Sequence, residues 1–203
     1  MDLWIRQWRE RTARGQMIAV RYADDSVLGF EKHEDAWSFR QALEARLAQF
    51  NLTLHPEKTR LLRFGWFAIE DRKKRGEGKP ETFDFLGFTH ICDKTKNGMF
   101  VVRRVTIAKR MRTTIREIRA QLHKRRHEPV PVIGQWSSRL FKGYCNYYHV
   151  PGNTRRSMMF RCRYFGRSNS RGSPGLGRPS RLSGDTHLIQ ELLMMVSRQA
   201  SQT

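Results

Sequence analysis

Acidic residues are scarce in this chain. Only 19 Asp and Glu stand against 39 Lys and Arg, a formal net charge of +20 over 203 residues and a pI near 11.0. Cysteine is scarce too. Cys92, Cys145 and Cys162 are far apart and odd in number, which excludes a disulfide framework and paired zinc-ligand spacing. The histidines His33, His55, His90, His123 and His127 form no metal-ligand constellation either. No apolar run approaches the roughly 20 residues a helical membrane span needs. The opening Met1-Asp2-Leu3-Trp4 lacks the basic-then-apolar layout of a secretory signal. What is present is a 38% hydrophobic share with 12 Phe, 5 Trp and 5 Tyr, too rich for a wholly disordered basic tail. The expectation is a soluble, intracellular, cytoplasmic protein of one ordinary domain or two small ones, with a polyanionic partner. Nucleic acid leads, although charge alone also suits an acidic membrane surface.

Along the chain, Met17 to Tyr22 and Val27 to Phe30 read as strands flanking the turn Ala23-Asp24-Asp25-Ser26. Ala36, Phe39, Leu43, Leu47 and Phe50 recur at helical spacing, giving a helix over about 35–50, with Asn51 suited to its stop. Leu52 to Leu54 and Leu61 to Phe64 read as short strands around the His55-Pro56 turn. Residues 70–81, almost all charge and glycine, read as a surface loop. Phe83 to Ile91 and Met99 to Val105 read as β segments, with a turn at Asn97-Gly98. Ile107, Met111, Ile115, Ile118 and Leu122 make a helical stripe, and Arg103 to Arg126 holds ten Lys/Arg and one acid. Pro129 and Pro131 end that helix, and Trp136, Leu140, Tyr144 and Tyr147 mark another. From Phe165 to Gly184, twelve of twenty residues are Gly, Ser or Pro, so the reading there is disorder. Leu188 to Val196 reads as a short helix.

The strongest chemical feature is Tyr22-Ala23-Asp24-Asp25 at the hairpin tip. Two adjacent carboxylates repel each other unless a cation sits with them. A pair of Mg²⁺ ions about 4 Å apart would use them as hard oxygen ligands, one ion activating an attacking hydroxyl and the other steadying a leaving phosphate. The plainer explanation is an Asp-rich turn selected for its backbone geometry.

Arg21-Tyr22-Ala23-Asp24-Asp25-Ser26-Val27-Leu28-Gly29-Phe30 resembles the active-site hairpin of reverse transcriptases encoded by group II introns, the intron maturases. Three further blocks follow in the family's order. They are Asn51-Leu52-Thr53-Leu54-His55-Pro56-Glu57-Lys58-Thr59, Phe83-Asp84-Phe85-Leu86-Gly87-Phe88, and Gly143-Tyr144-Cys145-Asn146-Tyr147-Tyr148 with Val150-Pro151-Gly152-Asn153. The resemblance implies that Asp24 and Asp25 are catalytic, metal-binding carboxylates for Mg²⁺ in a polymerase palm. It places Tyr22 beneath the primer end, where a buried strand tyrosine is the other reading. Lys58 would lie near the incoming triphosphate, or be a solvated turn lysine. Phe85, Leu86, Gly87 and Phe88 would grip the primer, the apolar ones also serving as core.

The resemblance further implies a thumb helix whose Arg112, Arg116 and Arg119 lie along a nucleic-acid backbone. Arg139, Lys142, Arg155 and Arg156 are phosphate contacts, and Tyr144, Tyr147 and Tyr148 either stack on unpaired bases or fill the core. The implied partners are RNA (intron RNA and template), a DNA primer and deoxynucleoside triphosphates. Two departures stand out. The palm needs another metal-binding aspartate from an earlier strand, and fingers, for which the residues before Tyr22 leave no room. After about Arg161 the tail leaves the family pattern, suggesting a frameshift, so the chain reads as the middle of a protein.

The expected fold is α/β. A partial palm with the hairpin spans 1–69, a charged loop 70–81, a β connection with the primer grip 82–105, a helical basic thumb and maturase region 106–163, and a divergent, disordered tail 164–203. The expected function is RNA-directed DNA polymerisation with intron maturation, in a chain inactive for polymerisation alone. The alternative is a non-catalytic RNA-binding remnant.

Overall fold

The computed structural model describes residues 1–57 and 59–165, together with the backbone of 192–200. Lys58 and most of the tail, 166–191 and 201–203, lie outside the described residues, and so do the expectations placed on them. The chain divides into two compact units. The first holds Met1–Phe85, Ile91–Val102 and the C-terminal strand. The second holds Leu86–His90 and residues 103–165.

The first unit is built on a hairpin. Strands β1 (Met17–Tyr22) and β2 (Asp25–Phe30) pair antiparallel with Tyr22 opposite Asp25, leaving the two-residue turn Ala23-Asp24. Helices α1 (Asp2–Arg11) and α2 (His33–Ala48) cover one face. Ile5 and Trp8 of α1, Met17, Leu28 and Phe30 of the hairpin, and Ala36, Phe39, Leu43 and Leu47 of α2 form a single core. Trp8 meets the Phe39 ring edge-on at 4.9 Å. Each fully buried phenylalanine here contributes about 2–3 kcal/mol. The α2 stripe is the one the spacing predicts except at Phe50, which lies beyond the helix end and is 60% exposed, and α2 is followed by left-handed Asn51 (φ +55°). Helix α1 has no counterpart in the sequence reading, because its arginines leave only Ile5 and Trp8 as buried anchors.

The opposite face carries a second core, in which Val27 meets Leu62 and Phe64 of β4 (Arg60–Phe64), Phe83 of β5 (Phe83–Phe85) and Cys92 of β6 (Phe88–Lys94). Burial pushes the Cys92 thiol pKa up from its ordinary value. The short β3 (Thr53–Leu54) lies in the same sheet as the hairpin.

Two expectations fail in this unit. The loop read over 70–81 begins as helix α3 (Trp66–Lys74). Its apolar start places Ala68 and Ile69 against the sheet, and Arg72, Lys73 and Lys74 sit in the last turn, where cations suit the helix dipole. Its charges are paired rather than simply solvated: Arg63 meets Asp71 at 2.6 Å, and Arg72 reaches Glu77 and Glu81. The tail reading fails over 192–200. Strand β8 (Leu192–Ala200) replaces both the short helix and the disorder expected there, pairing antiparallel with β2 on one side and with β4 and β3 on the other. A five-residue apolar run suits a central strand as well as a helix, and two open ladders decide between them.

In the second unit, α4 (Ala108–Lys124), α5 (Val130–Tyr148) and α6 (Thr154–Phe165) enclose a core of Met111, Ile115, Ile118, Tyr144 and Phe160. Helix α4 follows the expected stripe, while Arg103 and Arg104 of the basic stretch lie in β7 (Phe100–Thr106), where the β segment is expected. Strands β5, β6 and β7 form a three-stranded sheet in that order, and the unit boundary falls within β6 and β7. Among the described residues no helix is long and apolar enough to cross a membrane.

Candidate active site and nucleic-acid interface

The turn that carries the carboxylates is strained. Ala23 adopts φ +51°, a left-handed conformation that costs a residue with a Cβ about 1–2 kcal/mol. Strain of this kind persists where surrounding contacts over-determine it. Here Arg21 supplies them, donating through Nη1 to the Ala23 carbonyl at 3.2 Å and pairing with Asp2 of α1 at 2.6 and 2.7 Å. The hydrogen bond from Arg21 holds the Asp2 carboxyl below its ordinary pKa. At the base of the hairpin, buried Asp35 accepts the backbone N–H groups of Arg14 and Gly15, both at 2.9 Å. The sequence reading missed Asp2, Arg21 and Asp35. An acid shortly after a strand, with glycine twenty residues before it, was the only available signal.

Asp24 lies exposed in the turn, and Asp25 begins β2 half-buried. Tyr22 is 65% exposed, so the buried-strand reading of that residue is wrong. With Ile18 and Val20 it forms an apolar, solvent-facing stripe on β1. Adjacent carboxylates suit a hard divalent ion. Among the described residues no three His, Cys, Asp or Glu side chains gather into a group that could hold a metal. The strand on the other side of β2 from β1 is β8, which contains no Asp or Glu, and its ladder position opposite Asp25 is Arg198. The described residues therefore do not by themselves make up the donor set of a resident pair of Mg²⁺ ions.

Residues 1–90 match the reverse transcriptase (RNA-dependent DNA polymerase) family model. The match takes in the hairpin and its strained Asp24-bearing turn, helices α1 and α2 over one face, β4, and the Phe83–Phe88 block. No curated protein and no solved structure matches the chain. The fold of this reverse-transcriptase-like segment, helices over one face of a small antiparallel sheet, is compatible with a partial palm.

In the Phe85–Phe88 segment, Phe85 ends β5, Phe88 is buried at the start of β6, and Leu86 and Gly87 turn between them with φ of +48° and +82°. The single β segment read across 83–91 is thus a tight hairpin.

In the second unit, Arg112, Arg116 and Arg119 lie together on the exposed side of α4. With Arg163 of α6 they ring an open cleft of about 420 Å³ over Ile115. Arg163 is a member that the sequence reading did not assign. Arg139, Lys142 and Arg155 are exposed on α5 and α6, and Arg156 is half-buried. Of the three tyrosines proposed to stack on bases, Tyr144 is not available. It is 9% exposed, with its ring flat on Phe160 (7° between planes). Tyr148 packs against the same core, and Tyr147 lies on Phe88.

Burial pushes the Tyr144 phenol up to about 12. Because this pKa is raised on folding, the stability linked to Tyr144 is complete below the ordinary phenol range near pH 10 and is lost as pH climbs to about 12. An alkaline absorbance titration should show one late-ionising tyrosine that Tyr144→Phe removes. An unchanged late step in that variant would reassign it.

Proposed function

We propose that this chain is part of a reverse transcriptase of the group II intron maturase type, serving nucleic-acid binding in the second unit and carrying a palm hairpin that does not polymerise by itself. The observation that carries the reading is the Asp24-Asp25 pair on a strained, exposed hairpin tip within the family-matched residues. The four ordered sequence blocks support the intron maturase type, and the Arg112/Arg116/Arg119/Arg163 cleft supports an RNA partner. In this reading Asp24 and Asp25 face the reacting end of a DNA primer paired with an RNA template. Tyr22 lies under that end, and Phe85 to Phe88 hold the primer strand. Deoxynucleoside triphosphates would be the substrates of the complete polymerase site.

A second reading, a non-catalytic RNA-binding remnant, is favoured by one feature: the carboxylate-free strand beside Asp25, with Arg198 across the ladder. The test is primer extension by the purified 203-residue chain on an RNA template with Mg²⁺ and deoxynucleotides, alongside Asp24→Asn. The expected result is no incorporation together with measurable RNA binding. Incorporation that Asp24→Asn abolishes would make the chain a competent polymerase, and absence of RNA binding would sink both readings.

A further inference from the structure

The Leu86-Gly87 turn is held by residues outside its own hairpin. Left-handed backbone is costly for leucine, so something must fix it. Both of the turn's carbonyls are taken. The Tyr147 hydroxyl donates to the Leu86 oxygen at 2.8 Å, and the Ile107 N–H donates to the Gly87 oxygen at 3.1 Å. The Tyr147 ring lies on Phe88 with 20° between planes and 5.8 Å between centroids. A Cβ added at Gly87 would stand 3.0 Å from the Tyr148 hydroxyl and 3.3 Å from Arg110, so α4 and α5 close directly on the turn. Tyr147 is still about half exposed. Its hydroxyl is nonetheless engaged and one ring face is covered, which leaves it poorly placed as a free stacking platform.

We infer that Tyr147 is a positioning residue for the primer strand: from α5 it fixes the Leu86–Gly87 peptide, and with it the shape of the segment that would touch the primer. This rests on the primer-holding role of Phe85 to Phe88 given above. Through this contact, the helix expected to meet RNA also sets the conformation of the primer-contacting turn.

Tyr147→Phe tests it, since it keeps the ring on Phe88 and removes the hydroxyl that donates to Leu86. Binding of the full 203-residue chain is measured by fluorescence anisotropy on two RNA–DNA duplexes of equal length, one with a recessed primer 3′ end and one blunt. Wild type should prefer the recessed end. Tyr147→Phe should reduce that preference about fivefold, the effect of one neutral hydrogen bond, with faster amide hydrogen exchange across 83–90. Retention of the wild-type preference, or an equal loss of affinity for both duplexes, overturns the inference. A wild-type chain that does not distinguish the duplexes overturns the primer-holding reading itself, and the inference with it.

Discussion

Asn153→Ala is expected to lower the stability of the helical unit by about 3–4 kcal/mol. Asn153 is 1% exposed at the junction of α5 and α6, and its amide is fully used. Its Oδ1 accepts the Thr106 N–H at 3.0 Å, and its Nδ2 donates to Thr106 Oγ1 at 2.6 Å and to the Tyr148 carbonyl at 2.7 Å. Thr106, the last residue of β7, is itself 2% exposed, so truncating Asn153 strands a buried N–H far from water. An orphaned buried polar group costs about 1–3 kcal/mol, and the vacated volume adds a cavity penalty. Neighbouring Gly152, at φ +87° with Arg103 packed 3.3 Å from where a Cβ would stand, fixes the corner that delivers Asn153. Urea denaturation followed by near-ultraviolet circular dichroism, with amide exchange of α4 and α6, would measure the loss. A change below about 1 kcal/mol would show that the three bonds are redundant.

The triple substitution Arg112→Gln, Arg116→Gln and Arg119→Gln should weaken RNA binding about a hundredfold at low salt, at roughly 1 kcal/mol per exposed charge-assisted contact. These arginines stand on the exposed side of α4, beside the buried stripe of Met111, Ile115 and Ile118. The substitution therefore leaves the core intact. The diagnostic quantity is the salt dependence. Each lost contact with a single strand should flatten the logarithmic slope by about 0.7, and three contacts by about 2. The loss should be similar across RNA sequences, since phosphate contacts position without specifying. An unchanged slope would place the footprint elsewhere on the basic surface. Arg163→Gln added to the triple should flatten the slope further, because Arg163 completes the same cleft.

Legibility followed the range of the forces involved. The hairpin strands, α2, and the α4 stripe were readable because period-2 and period-3.6 patterns are local consequences of which face is buried. Helix α3 was hidden by its charges, since ion pairs such as Arg63–Asp71 join residues whose proximity no window shows. Of the candidate site, the carboxylate pair, the glycine turn and the arginine face were legible as residue types in a recognisable order. Tyr144, Tyr147 and Tyr148 share one motif and one helix, yet one is buried on Phe160, another holds Leu86, and the third abuts Gly87. A tyrosine's chemistry does not say which neighbour it will find.

The sequence by itself determined the charge, the amphipathic faces, and the Asp24-Asp25 hairpin tip, because composition and short-range periodicity are properties of the chain. Only the tertiary structure decided what stands beside that tip. Arg21 and Asp2 brace the strained turn, and the apolar run near the C-terminus becomes the strand between β2 and β4, placing Arg198 rather than a carboxylate across from Asp25. The physical reason is that a strand's partners are chosen by open backbone donors and acceptors elsewhere in the fold. Those groups are the same in every residue but proline and leave no other mark in the sequence.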